Sequence, residues 1–407
     1  MSDQTCVIVG ASHAAAQLAP ALRQEGWEGS ITVIGEEPYL PYNRPPLSKT
    51  FLAGKTTVDE LLIRHGANYE KANISFRLGV KASRIDRRSR QLELADGNVL
   101  AYDKLALTVG SRVRKVELPG GDLGGICYLR TIDDVQHIRG YTGPGKKAVI
   151  VGGGYIGLET AAMLRGMGME VTVVEMSSRV LNRVTAPQVS AFFTRIHTEE
   201  GVRVVTDVLV SEFEGREKVE QVVTAQGEVF PADLVIMGVG ILPNLDLAED
   251  AGLDVDNGIV VDAHCRTSDP DIVAAGDCTR YYSPHYRRYI RLESVQNATD
   301  QAKIAAATVC GKLKEYNSLP WFWSDQYDLK LQIGGLSQGY DEVIVRGDIK
   351  TSRKFAAFYL KNNIVLAVDA VNKPQEFLLG KRIIATGRPI DKERLADDGV
   401  AMKELLN

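Results

Sequence analysis

Short, continuous apolar runs ending in glycine punctuate this chain, and each reads as a strand buried on both faces of a parallel sheet. Cys6-Val7-Ile8-Val9-Gly10 comes first, helix formers from Ala14 to Arg23 follow, and Ile31-Thr32-Val33-Ile34-Gly35 supplies the next strand. About 140 residues later the order repeats: Ala148-Val149-Ile150-Val151-Gly152 as strand, Gly157 to Met167 as helix, Val171-Thr172-Val173-Val174-Glu175 as strand. So long a period excludes stacked repeats and points to two separate β-α-β units, each a dinucleotide site.

Between the units, Arg77 to Ala101 alternates in short strands around an Asp96-Gly97-Asn98 turn, and Gly140 to Lys147 has the Gly, Pro and Lys content of a linker. The runs 232–238 and 272–277 read as further buried strands that return the chain to the first domain. After Pro320, the alternating segments Val343-Ile344-Val345 and Ile364-Val365-Leu366-Ala367-Val368 precede a helix from Pro374 to Ala385. The expected fold is α/β: two Rossmann-type domains, residues 1–110 with 238–319 and residues 111–237, plus a carboxy-terminal α+β domain at 320–407.

A length of 407 residues fits this multidomain reading. The composition, 44% hydrophobic and 25% charged, is that of a globular chain without disorder bias. A formal charge of -4 gives no global attraction to nucleic acid or anionic lipid. No apolar stretch approaches the roughly 20 residues a membrane span needs, and the amino terminus lacks the basic start of an export signal. A cytoplasmic protein is expected. Cys6, Cys127, Cys265, Cys278 and Cys310 are too scattered for a disulfide framework or a paired zinc site, so they read as small buried hydrophobes and no metal is expected.

The strongest local signal is Gly152-Gly153-Gly154-Tyr155-Ile156-Gly157. Gly152, Gly154 and Gly157 fill the positions that permit a tight turn, admit a pyrophosphate to backbone N–H groups and let helix pack on strand. Glu175, at the end of the next strand, suits the ribose hydroxyls of NADH and would repel the 2′-phosphate of NADPH. Arg179 and Arg183 keep NADPH open. In the first unit, Gly10-Ala11-Ser12-His13-Ala14-Ala15 places Ser12 and Ala15 at the second and third glycine positions, and Glu36 stands after the following strand. His13 reads as a helix-start residue rather than a catalyst.

Gly10-Ala11-Ser12-His13-Ala14, Arg44-Pro45-Pro46-Leu47-Ser48-Lys49, Ala275-Gly276-Asp277, Glu293-Ser294-Val295-Gln296-Asn297-Ala298 and 320–326 (PWFWSDQ) together resemble the NADH-dependent ferredoxin reductases of bacterial oxygenase systems, within the FAD-dependent pyridine nucleotide-disulfide oxidoreductases. The likeness covers essentially the whole chain. It implies an FAD domain in two segments, an inserted NADH domain, and a carboxy-terminal domain that presents the flavin edge to a [2Fe–2S] ferredoxin.

By position, the resemblance implies FAD contacts at Gly10, Ser12, His13, Ala14, Ala15, Glu36, Arg44, Lys49, Val80, Arg130, Asp277, Val295 and Trp323. It implies NADH contacts at Gly152, Gly154, Tyr155, Ile156, Gly157, Glu159, Glu175 and Gly240. Lys49 and Glu159 are the expected catalytic pair: an ammonium near the flavin favours the reduced, negatively charged ring, and the glutamate holds that lysine. Leu107-Thr108-Val109-Gly110 stands where similar proteins have Ala-Thr-Gly. Trp321 reads as a core residue. Arg287, Arg288, Arg291 and Lys303 could steer an acidic ferredoxin. The segment from Tyr39 to Leu52 holds no cysteine, which disfavours disulfide reductases and cysteine-dependent peroxidases. Rubredoxin reductase, monodehydroascorbate reductase and a redox-sensing module like apoptosis-inducing factor remain alternatives.

Overall fold

A computed structural model describes residues 3–406, and the chain divides into two compact units. One comprises Met1–Asn43, Val58–Arg112 and Ile241–Pro320; the other comprises Arg44–Thr57, Val113–Gly240 and Trp321–Asn407.

The first unit is built on a five-stranded parallel sheet in the order Ile272–Ala274, Lys104–Leu107, Thr5–Val9, Ser30–Gly35, Ile74–Leu78. Thr5–Val9 is central, and its neighbours leave it in opposite directions. The crevice at its carboxyl end is therefore a topological switch point, where open α/β sheets bind nucleotides. Helix His13–Gln24 leaves that crevice and packs along helix Val295–Val309. Buried alanines on both helices, among them Ala15, Ala19, Ala302 and Ala306, keep the contact close. Pro20 lies inside the first helix and cannot donate to the Ala16 carbonyl; Arg64 Nε bonds that oxygen at 3.4 Å. The alternation between residues 77 and 101 forms an antiparallel meander, Ala82–Asp86, Gln91–Leu94 and Val99–Ala101.

The second unit repeats the design in the order Arg203–Val205, Glu170–Val174, Lys147–Val151, Leu234–Met237, Ile126–Cys127, again all parallel. This corrects the reading of residues 232–238. Leu234–Met237 is buried at all four positions and pairs with Lys147–Val151, so it completes the second sheet; only Ile272–Ala274 returns to the first. Trp321–Gln326 begins an antiparallel sheet in the order Trp321–Gln326, Leu329–Gly335, Ile364–Val371, Phe355–Lys361, Glu342–Gly347, covered by helix Pro374–Thr386.

The segment Arg44–Thr57, read from sequence as part of 1–110, is grouped with the second unit. Arg139 explains much of this, since its guanidinium lies 4.4 Å from the Phe51 ring centroid and donates to the Phe51 and Leu52 carbonyls. The five cysteines are free, four of them buried and Cys310 half-buried. Among the described residues, no helix is long and apolar enough to cross a membrane.

Candidate functional site

In the first unit, Gly10 ends the central strand at φ 103°, and a β-carbon there would sit 2.2 Å from the Thr108 carbonyl oxygen. No residue with a side chain fits such a turn. Thr108 braces it, its hydroxyl donating to the carbonyls of Val9 (3.0 Å) and Gly10 (2.9 Å). Ser12 is the N-cap of the following helix and makes no side-chain capping bond, so the first-turn N–H groups face the crevice. His13 is the first helical residue, while Ala14 and Ala15 are buried beneath it. Glu36 is exposed just beyond the second strand, and the Val80 N–H bonds the Gly35 carbonyl beside it. Asp277 follows the left-handed Gly276 and accepts from Ser111 Oγ at 3.0 Å. Gln301 holds the Gly276 N–H and the Thr279 hydroxyl, both at 2.8 Å. Val295 opens the helix capped by Ser294.

In the second unit, Gly152 stands at φ 110°, with the Gly238 carbonyl oxygen 2.4 Å from where a β-carbon would be. At Gly157 the clash would be with the Gly152 carbonyl oxygen, at 2.1 Å. Gly154 is the N-cap of helix Tyr155–Gly166 and has no neighbour within 4 Å of a built β-carbon. A diphosphate fits such a cradle: bare backbone donors at a helix start, with no side chain in the way. Ile156 is 46% exposed, whereas the Tyr155 ring packs 4.9 Å from that of Phe322. Burial, and then the nearby Asp369 carboxylate, raise the Tyr155 hydroxyl well above the usual tyrosine range.

Glu175 is held by backbone: the N–H of Gly153 donates to Oε2 and that of Ser177 to Oε1, each at 2.7 Å. Both carboxylate oxygens keep lone pairs for ribose hydroxyls. Arg179 is engaged by its own loop and the helix that follows: its guanidinium donates to the carbonyls of Thr185 and Asn182 and to Ser190 Oγ. Arg183 is exposed near Gly240, which has φ 104°.

Lys49 and Glu159 meet as an ion pair, Nζ to Oε2 at 2.6 Å. Pro45 and Pro46 start a single 3-10 turn, Pro45–Ser48, that aims both Ser48 and Lys49 at the helix beginning at Tyr155. Ser48 Oγ donates to the same glutamate oxygen at 2.7 Å, and Ser324 Oγ donates to Oε1 at 2.7 Å. Lys49 also bonds the Pro45 carbonyl at 3.2 Å. Glu159 is only 3% exposed, so three donors support its buried charge. Arg44 donates to the Arg130 carbonyl at 2.7 Å, and Arg130 precedes a capping box in which Thr131 and Asp134 bond reciprocally. Trp321 and Trp323 lie 5.5 Å apart at ring centroids; Trp321 packs against Phe377 beneath Lys381, while Trp323 is half-buried.

Gly10, Ser12, His13, Ala14, Ala15, Glu36, Val80, Asp277 and Val295 thus belong to the first unit, and the remaining expected contacts to the second. Ser48, Ser111, Gln301 and Ser324, none of them an expected contact, bond Glu159, Asp277, Gly276 and Glu159 in turn. Ser48 and Ser324 lay inside noted motifs, but a serine's role shows only once its hydroxyl has a partner. In the basic cluster, Arg291 pairs with Glu293 and Lys303 with Asp300, and Arg287 is exposed at φ 51°.

Comparison with known proteins matches residues 4–302 to the pyridine nucleotide-disulphide oxidoreductase family and residues 321–406 to a reductase C-terminal domain. The chain is 44% identical to putidaredoxin reductase CamA of Pseudomonas putida over 411 residues, covering 100% of this chain and 97% of that one. It is 41% identical over 409 residues to the ferredoxin–NAD(+) reductase component of the anthranilate 1,2-dioxygenase system of Burkholderia cepacia, with both chains fully covered. Among solved structures, the covalent putidaredoxin reductase–putidaredoxin complex superposes with a TM-score of 0.96, at 44% identity and with 100% and 99% of the two chains covered.

Proposed function

This chain belongs to the pyridine nucleotide-disulphide oxidoreductase family, and from that premise we propose that it is an FAD-containing ferredoxin–NAD(+) reductase that passes electrons from NADH to a [2Fe–2S] ferredoxin. The ferredoxin in turn supplies a cytochrome P450 or Rieske-type oxygenase. The observation that carries the reading is the ion pair between the part-buried Lys49 and the buried Glu159, which lies on the helix opened by the second glycine turn, in a chain with no cysteine from Tyr39 to Leu52.

In this reading residues 1–110 and 238–319 serve FAD, 111–237 serve NADH, and 320–407 complete the face toward the partner. FAD is held by the Gly10 turn, Glu36, Arg44, Lys49, Val80, Arg130, Asp277, Val295 and Trp323. NADH is held by the turn from Gly152 to Gly157, Glu159, Glu175 and Gly240. Bound FAD supplies acceptance of a hydride and release of its electrons one at a time.

The protein's contribution is positioning and charge. Lys49 offers fixed positive charge where negative charge accumulates, and Glu159 holds that ammonium in one place. Glu175 selects NADH through its ribose, and the commitment of Arg179 to its own loop removes one candidate anchor for a 2′-phosphate. Arg287, Arg288, Arg291 and Lys303 steer the acidic ferredoxin, and Arg287 among them is exposed. We place the protein in the cytoplasm.

The test is anaerobic reduction of the flavin by NADH, followed by mixing with ferredoxin, rubredoxin or the ascorbyl radical. Rapid transfer to ferredoxin alone is expected. Preferential transfer to rubredoxin or the ascorbyl radical would reassign the partner. Slow, partner-independent oxidation of a long-lived complex would favour a sensing module.

A further inference from the structure

Beyond Ser324, the Glu159 carboxylate leads into a buried polar chain that the proposed chemistry leaves unused. Gln326 Nε2 donates to Ser324 Oγ at 3.2 Å, Gln326 Oε1 lies 2.9 Å from His197 Nε2, and His197 Nδ1 lies 3.1 Å from the Tyr327 hydroxyl. Ser324, Gln326 and His197 are all buried. They come from the strand Trp321–Gln326 and from helix Pro187–Glu199, far in sequence from Lys49.

Chemistry sets the direction of every bond. An ionised carboxylate only accepts, so the one proton of Ser324 goes to Glu159. The Ser324 oxygen must then accept, and it does so from the Gln326 amide nitrogen. That turns the amide oxygen toward His197, whose Nε2 must carry a hydrogen, leaving Nδ1 to accept from the Tyr327 hydroxyl. Burial lowers the His197 pKa, against the opposing pull of Gln326 and the Glu200 charge, so a neutral ring suits the site.

We propose that His197 is a positioning residue for Glu159, acting through Gln326 and Ser324. This rests on the reading that Lys49 and Glu159 serve the flavin and nicotinamide. Four hydrogen bonds in series point their hydrogens toward one carboxylate, and such chains reinforce one another in a low-dielectric interior. Together they fix the Glu159 rotamer, which in turn fixes the Lys49 ammonium. Without the imidazole donor, Gln326 can flip, Ser324 can turn its hydroxyl away, and Glu159 loses the Ser324 donor at Oε1.

The test compares wild type with His197→Phe, which removes both ring nitrogens, and His197→Gln, which restores a donor. Nitrogen-15 NMR of histidine-labelled holoenzyme should show one neutral Nε2–H imidazole at pH 7 that disappears in His197→Phe. An Nδ1–H or doubly protonated His197 would overturn the chain. The limiting rate of flavin reduction by NADH should fall about tenfold in His197→Phe, with NADH affinity nearly unchanged, and should recover in His197→Gln. Ser324→Ala, which removes only the last donor, carries the same expected loss should His197→Phe fold poorly. Combined with Glu159→Gln, the His197→Phe change should add nothing further. Slow Glu159→Gln beside unchanged His197→Phe and Ser324→Ala would overturn this proposal alone. Unchanged Glu159→Gln would overturn the site reading and the proposal together.

Discussion

At Gly10 a β-carbon would come within 2.2 Å of the Thr108 carbonyl oxygen, just beyond a neighbouring strand, and at Gly152 within 2.4 Å of that of Gly238; further into each turn the two units diverge. In the second, Gly157 rides against the Gly152 carbonyl and must remain bare. In the first, the equivalent position is Ala15, whose methyl is fully buried. The first glycine is therefore dictated by the strand-to-helix turn itself, whereas the third depends on how closely the helix rides over it. A search for three glycines finds one unit and overlooks the other.

The largest effect should separate the two turns outright. Gly10→Val, a branched side chain in a left-handed turn against a carbonyl, should give protein without flavin colour. Gly152→Val should stay yellow but lose more than about 100-fold in flavin reduction by NADH, since the strain and clash are worth several kcal/mol. Flavin absorbance and stopped-flow reduction distinguish them; loss of flavin in both would merge the two sites.

The third position should respond asymmetrically. Gly157→Ala forces the backbone apart and should cost about 1–3 kcal/mol of stability along with weaker NADH binding. Ala15→Gly should cost about 1 kcal/mol, the usual helix penalty, with FAD retained. Thermal melting and NADH titration measure both.

The two acids should part by ligand. Glu175→Ala should reduce the preference for NADH over NADPH about tenfold, which is roughly one good hydrogen-bond pair. Glu36→Ala should weaken flavin retention and leave that preference unchanged. Comparing kcat/KM for the two nucleotides decides.

The most gradual effect concerns pH and belongs to the second unit. Burial pushes the Asp369 carboxyl up to about 7, against the lowering effect of its bond from the Tyr359 hydroxyl, which also accepts the Ala186 N–H. Its folded pKa stands above the unfolded value, so the native state keeps the proton longer. Its contribution is fully present below about pH 4 and is lost as pH rises through about 7, with a slope on the order of 1 kcal/mol per pH unit. Asp369→Asn should flatten stability across that window in denaturant titrations.

Much of this was legible in the chain. The glycine-ended apolar runs mark both parallel sheets because strands buried on both faces need unbroken apolar sequence, and Glu175 announces itself by its place at a strand end. Other features were not legible, because local pattern carries no information about distant partners. Leu234–Met237 has the same pattern as Ile272–Ala274, and only pairing with Lys147–Val151 assigns it to the second sheet. Arg44–Thr57 looks like part of the segment around it until Arg139 and Glu159 are seen to hold it. Ser324, Gln326 and His197 are ordinary polar residues in sequence. They acquire meaning through contacts spanning more than 120 residues.

The central claim is that the Lys49–Glu159 pair serves hydride transfer from NADH, ahead of delivery to an iron–sulfur partner. Single-turnover reduction of the flavin by NADH in Lys49→Met, followed by mixing of the reduced variant with ferredoxin, tests it most directly. Reduction by NADH slowed at least tenfold, with flavin still bound, is the expected result. A wild-type rate of reduction would contradict it.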